Sequence, residues 1–104
     1  MEAMAIGIEE SVSDAHIKAR VGQVIYLGEK MISYGIPIVK PIGGHGIFVD
    51  AKKFLPHLSQ DNYPAQTLAS EIYLDSGVRT MERGIVSAGR KKNGENYYPE
   101  LELV

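Results

Sequence analysis

The sequence predicts an α/β fold, organised as an α+β two-layer domain. Two stretches, residues 15–34 and 64–77, carry apolar residues at helical spacing, and two β-branched segments flank a glycine-rich turn at 41–46. A length of 104 residues favours one domain. With 44% hydrophobic and 23% charged residues, the composition is ordinary for a globular protein and argues against general disorder.

The first helix is predicted over residues 1–10, whose composition is helical although Gly7 weakens the pattern. The segment that follows supplies three side chains of the types that cap helix N-termini: Ser11, Ser13 and Asp14. We therefore expect a second helix to begin close behind the first.

That second helix is predicted from about Ala15 to Tyr34. Apolar positions recur every three or four residues and form one face, made of Ile17, Val21, Val24, Gly28 and Met31. Gly35 follows where a glycine commonly ends a helix, and Pro37 prevents the helix from resuming.

The middle of the chain predicts two strands, a connector and a helix. "IPIVKP" and "GIFVD" read as strands around the glycine turn, and "AKKFLPHL" reads as a short helical or irregular connector. Pro64 suits the first position of a third long helix, which we expect to close at Gly77.

The last part of the chain predicts two more strands, "VRTME" and "ELELV", separated by the polar loop at 89–99. The predicted order is therefore α-α-β-β-α-β-β. The final strand stops at Val104 without a following turn, and the first helix starts at Met1 without an N-cap residue ahead of it. We therefore expect a piece of a longer protein.

Composition argues against several classes of function. A net charge of −2 with no large basic cluster makes nucleic acid an unfavourable partner. No apolar stretch is long enough to span a membrane, and the absence of cysteine removes disulfides and thiolate chemistry. The three histidines, at 16, 45 and 57, lack metal-ligand spacing, so no metal site is predicted.

Two residues are candidates for binding. His45 lies among Gly43, Gly44 and Gly46, where it is either a turn residue without a role or a side chain that glycines leave accessible. Arg83 precedes Gly84, and its planar fork of donors suits a carboxylate or a phenolic oxygen. The alternative for Arg83 is a surface salt bridge with Glu82 or with a helix.

Glu100 and Glu102 share one face of the last predicted strand. They could form a pair of carboxylates, but a solvated strand face is the simpler interpretation. From the residues alone, the sequence supports a small α/β domain with a weak histidine–arginine pair.

Six stretches, in chain order, resemble the β-eliminating lyases, a family of pyridoxal-phosphate enzymes. They are "MEAMAIG" at 1–7, "RVGQVIYLGEKM" at 20–31, "PIGGHGIFVDAKKFLPHL" at 41–58, "YPAQTLASEIY" at 63–73, "GVRTMERGIVSAGR" at 77–90 and "LELV" at the end. The stretch around Arg83 is more similar to family members that cleave L-tyrosine to phenol, pyruvate and ammonia. Members that cleave L-tryptophan to indole usually carry an apolar residue at this position, and they are the first alternative. The second is a non-catalytic, stand-alone domain of the same fold.

The resemblance implies a fold and a site. It implies most of the small C-terminal domain of a fold type I, aspartate-aminotransferase-like enzyme, with connecting helices at 1–34 and the small domain at 35–104. It implies that Arg83 recognises the substrate's phenolic hydroxyl and that His45 lies at the same end of the active site. Both are substrate-binding residues, and no catalytic, cofactor-binding or metal-binding residue is expected within the chain.

The resemblance also implies what lies elsewhere. The lysine that holds pyridoxal 5'-phosphate, the phosphate site and the ligands of a monovalent cation such as potassium are expected in a large domain upstream. The arginine that holds the substrate carboxylate is expected just after Val104. Family members are usually cytoplasmic tetramers, so a homo-oligomer acting on an aromatic amino acid is expected, and this chain alone is expected to be inactive.

Overall fold

The computed structural model describes all 104 residues and begins with two helices. Helix α1 spans Glu2–Ser11 and helix α2 spans Asp14–Ser33, with Ser13 in the N-cap position. Both helices confirm the sequence prediction within about a residue. Gly35 has a φ of +74°, a conformation that glycine adopts without a steric penalty, and it follows α2 where the sequence placed it.

The packing of the two helices differs. No residue of α1 is buried, so its apolar side chains face solvent in this chain. In α2, Gly28 is buried, and a Cβ atom there would lie 2.6 Å from Cδ1 of Ile42 and 2.9 Å from Cδ1 of Ile47. Helix α2 therefore packs closely on the two ends of the glycine-rich turn because position 28 has no side chain.

The two strands predicted around that turn are reduced to one antiparallel bridge, between Ile38 and Val49. The amide of Val39 donates to the carbonyl of Phe48 at 2.8 Å next to it. Pro37 and Pro41 carry no amide hydrogen, which limits how far such a ladder can extend.

Two shorter helices and one long one follow. Helix α3 spans Ala51–Phe54, and the carboxylate of Asp50 caps it by accepting from the amide of Lys53 at 3.1 Å. A 3₁₀ helix spans Gln60–Asn62, and helix α4 spans Pro64–Ser76. As the sequence predicted, α4 has proline in its first turn and ends at Gly77, whose φ is +72°.

The end of the chain departs from the prediction. Residues 78–82 form no strand, and a four-residue helix, α5, spans Ile85–Ala88 where none was expected. Leu103 forms isolated antiparallel bridges to both Asp50 and Arg83. The predicted strand order is therefore not confirmed, since the structure is mostly helical and its strand pairing consists of single bridges.

The core is small and lies where these segments meet. Its buried residues are Val49, Ala51, Ala65, Leu68 and Val104, with Met31, Ile36, Ile38, Leu55, Ala69 and Ile72 packed against them. Val104 exchanges both main-chain hydrogen bonds with Val49, at 2.7 and 3.0 Å, so the last residues of the chain run through the core. None of the helices has both the length and the apolar character needed to cross a membrane.

Candidate functional site

One cavity, of about 570 Å³, contains both residues that the sequence singled out, His45 and Arg83. Its wall is mostly apolar and includes side chains of Leu27, Met31, Phe48, Ile72, Met81 and Val104. Ser76 and Thr80 add hydroxyl groups. An apolar cavity with a few polar groups is typical of a site that holds an organic ligand.

Main-chain pairing places Arg83 at the cavity. Its amide donates to the carbonyl of Leu103 at 2.7 Å, and the amide of Leu103 donates back to the carbonyl of Arg83 at 3.1 Å. The guanidinium itself has no hydrogen-bond or salt-bridge partner in the chain. Arg83 is exposed, so the cavity is open on its side.

The alternative interpretation of Arg83, a salt bridge with Glu82, is not observed. The carboxylate of Glu82 instead accepts from the amide of Gly84 at 3.1 Å and from the hydroxyl of Ser87 at 3.4 Å. Because Glu82 is engaged by the start of α5, the guanidinium of Arg83 is available to a ligand.

The glycine turn brings His45 to the same cavity, and α2 supports it from behind. The Nη2 atom of Arg20 lies 3.4 Å from the carbonyl of His45. A Cβ atom on Gly44 would lie 3.1 Å from Cγ2 of Val21, so glycine allows the turn to approach the helix. The imidazole of His45 makes no hydrogen bond within the chain and is exposed.

Glu100 and Glu102 do not form a solvated face, which corrects the interpretation favoured from the sequence. Glu100 is exposed, but Glu102 is completely buried. Burial raises the pKa of the Glu102 carboxyl, and the charge of Glu82 adds to this. A hydrogen bond from Gln60, the charge of Lys52 and the backbone amide of Ile85 act against it.

Tyr98 is explained by local structure. Its hydroxyl donates to the carboxylate of Asp61 at 2.7 Å. That hydrogen bond stabilises the protonated phenol and raises the pKa of Tyr98. The contact holds the polar loop 89–99 against the 3₁₀ helix and does not reach the cavity.

The chain does not offer a lysine suited to pyridoxal phosphate at this cavity. No lysine lines it. Lys52 donates to the carbonyl of Glu100 at 3.0 Å, and Lys53 pairs with Asp50 at 3.7 Å. The residues present therefore fit a pocket for the side chain of a substrate better than the covalent anchor of the cofactor.

Most of the residues that line the cavity were not predicted from the sequence. Thr80 and Met81 lie in a segment that was predicted as a strand, and no cavity was expected there. A signal for Glu102 was present, because Glu102 and Val104 alternate with Leu103 and so share the buried face of an extended segment.

Known proteins provide independent evidence. No family model matches the chain. Curated sequences do match it, and a tyrosine phenol-lyase from Nostoc punctiforme is 70% identical over 105 residues that include the whole chain. Along its entire length, this chain is similar to tyrosine phenol-lyase. Tyrosine phenol-lyases from Pasteurella multocida and Clostridium tetani also cover the whole chain, with 63% and 55% identity.

These matches confirm the resemblance to the β-eliminating lyases and favour tyrosine phenol-lyase over tryptophanase or a stand-alone domain. The chain spans about a fifth of the length of these relatives, since it covers 22% of the Nostoc punctiforme protein and 23% of the other two.

Proposed function

We propose that this chain forms the part of a tyrosine phenol-lyase that holds the side chain of the substrate. The whole enzyme would cleave L-tyrosine, with water, to phenol, pyruvate and ammonia. The observation that carries the proposal is the shared cavity, in which the free guanidinium of Arg83 and the imidazole of His45 meet apolar walls. Such walls suit an aromatic ring, and the two polar groups suit its hydroxyl.

Each group has a distinct part in the proposal. Arg83 donates hydrogen bonds to the phenolic oxygen and so fixes the far end of the ring. His45 supports the same end of the pocket as a second polar contact. The apolar side chains hold the ring faces and exclude water, which strengthens the hydrogen bonds to the hydroxyl.

Pyridoxal phosphate, bound through a lysine outside this chain, would serve as the electron sink of the reaction. We place that lysine in a large domain that closes the exposed side of the cavity. Residues 35–104 are then the small domain and residues 1–34 the connection to it. A monovalent cation such as potassium, a tetrameric assembly and a cytoplasmic location complete the proposal, and all three derive from the resemblance.

A hybrid enzyme tests the proposal. The chain replaces the matching stretch of the Nostoc punctiforme tyrosine phenol-lyase, and kcat/KM is measured for L-tyrosine and for an S-alkyl cysteine, whose leaving group has no hydroxyl. Arg83→Ala should reduce tyrosine cleavage by about 10- to 200-fold, since a charged hydrogen bond of roughly 1.5–3 kcal/mol is lost. Cleavage of the S-alkyl cysteine should persist. Equal losses for both substrates would show that Arg83 stabilises the fold and does not read the hydroxyl.

A further inference from the structure

Glu102 is a carboxyl group in the core that the proposed reaction does not use. Its side chain has no exposed surface. Glu102 and Pro64 are the two largest residues of the chain that are fully buried. Its own carbonyl accepts from the amide of Ala51 at 2.8 Å. Glu102 is also the direct neighbour of Leu103, which pairs with Arg83.

The two oxygens of this carboxyl have different surroundings. Oε1 accepts from Nε2 of Gln60 at 3.2 Å, and the same Nε2 donates to the carbonyl of Pro99 at 2.6 Å. Oε2 is buried without a hydrogen bond of good geometry, although the backbone amide of Ile85 lies close enough to lower the pKa of the carboxyl. Buried polar atoms are almost always paired, so an unpaired oxygen at this place needs an explanation.

The unpaired oxygen points at Gly84. A Cβ atom on Gly84 would overlap Oε2 of Glu102, and it would lie 2.8 Å from the Cδ atom of the same side chain. The carboxyl therefore fills the space that a side chain at position 84 would take. Gly84 is buried, and the Cβ atom of Ala65 also lies 3.0 Å from the place that a Cβ atom on Gly84 would take.

Three contacts thus act on the two residues Arg83 and Gly84. Leu103 holds the main chain of Arg83 by two hydrogen bonds, and Glu82 accepts from the amide of Gly84. Glu102 supports Gly84 by direct packing. An apolar side chain would fill the core without an unpaired oxygen, but it would lose the link through Gln60 that fixes where the carboxyl lies.

We propose that Glu102 is a positioning residue for Arg83, because its buried carboxyl, held by Gln60, fixes the backbone at Gly84 and so directs the guanidinium into the cavity. The inference rests on the proposed function, in which Arg83 binds the phenolic oxygen. Glu102 itself does not touch the substrate.

The hybrid enzyme described above provides the test, with tyrosine and an S-alkyl cysteine as the two substrates. Glu102→Ala should lower kcat/KM for tyrosine by about 10- to 100-fold, the usual effect of misplacing a binding group by about 1 Å, and should change the S-alkyl cysteine reaction much less. Glu102→Gln keeps the shape and the contact with Gln60, and it should retain the wild-type ratio of the two rates. Glu100→Ala, an exposed neighbour on the same segment, is the matched control and should behave as wild type.

A double variant shows whether Glu102 acts through Arg83. In the Arg83→Ala background, Glu102→Ala should cause no further loss of tyrosine cleavage, because the group that it positions is already gone. A full additional loss, or an equal loss for both substrates, would overturn the inference. Arg83→Ala on its own reports on the proposed function, so the two failures can be told apart.

Glu102→Asp covers the case in which the alanine variant does not fold. It keeps the carboxyl group but withdraws it from Gly84 by one methylene group, so tyrosine cleavage should again fall more than S-alkyl cysteine cleavage. If the aspartate variant keeps the wild-type ratio, Glu102 does not position Arg83.

Discussion

Arg83 and Leu103 exchange both of their main-chain hydrogen bonds, at 2.7 and 3.1 Å. The two residues are twenty positions apart in the sequence, and their pairing holds the segment before α5 against the last residues of the chain. This pairing holds the backbone of Arg83 at the edge of the cavity, while its guanidinium remains unpaired. The relationship explains how an exposed arginine in a loop can have a defined position.

His45 should contribute to tyrosine cleavage less than Arg83 does. In the hybrid enzyme, we expect His45→Ala to lower kcat/KM for tyrosine by about 2- to 10-fold, since a neutral hydrogen bond stabilises by roughly 0.5–1.5 kcal/mol. His57→Ala is the control, because His57 is exposed and does not line the cavity. A loss no larger than that of the control would remove His45 from the site.

The chain by itself should not bind pyridoxal phosphate covalently at a single position. No lysine lines the cavity, and Lys52 and Lys53 are engaged by neighbouring groups. The measurement is visible absorbance after incubation with the cofactor, followed by borohydride reduction and peptide mapping. A stoichiometric adduct on one lysine would contradict the proposal that the anchor lies outside the chain.

Helix α1 should make the isolated chain self-associate. Met4 and Ile8 are 68% and 60% exposed and lie on one face of the helix, and no residue of α1 is buried. Sedimentation should show association that increases with concentration, and replacing both residues with lysine should reduce it. Leu74→Lys, at a residue 76% exposed on α4, is the control. A monomer at high concentration that binds no dye for apolar surfaces would count against this.

Glu102 should make the stability of the chain depend on pH. Burial raises its pKa in the folded chain, so the folded state holds this proton more tightly than the unfolded state does. The free energy of unfolding should therefore fall as the pH rises from the ordinary glutamate pKa of 4.5 through the raised value. Glutamine cannot ionise, so Glu102→Gln should remove this decline and be the more stable variant at pH 7.

Denaturant unfolding at a series of pH values measures the effect. The wild-type chain and the Glu102→Gln variant should have similar free energies of unfolding at acidic pH, and the two values should diverge as the pH rises. If the free energies of unfolding of the two proteins run parallel over the whole pH range, the carboxyl of Glu102 is as well solvated in the folded chain as in the unfolded one.

Local patterns made the long helices predictable. Residues 14–33 and 64–76 are helical because their apolar spacing, their start signals and the closing glycines at 35 and 77 all lie within the segments or directly beside them. The strands were less predictable, because pairing depends on partners far away in the chain. Prolines at 37 and 41 and single contacts at Leu103 reduce the expected sheet to isolated bridges.

The residues of the candidate site also fall into those that local sequence predicted and those that only distant contacts could decide. His45 and Arg83 stood out by residue type and by their glycine neighbours, and the structure brings them to one cavity. Glu102 was misjudged because alternation along a strand defines two faces but does not say which one is buried. That choice depends on what packs against the segment.

The sequence by itself determined the three longest helices, their ends, and the similarity to tyrosine phenol-lyase along the whole chain, because each is a property of consecutive residues. Only the tertiary structure decided that the guanidinium of Arg83 is free, that Glu82 binds the backbone of Gly84, and that Glu102 is buried behind it. The physical reason is that burial and pairing are set by groups distant in sequence: Glu102 is buried where Gln60, Ala65 and Gly84 meet the last residues of the chain.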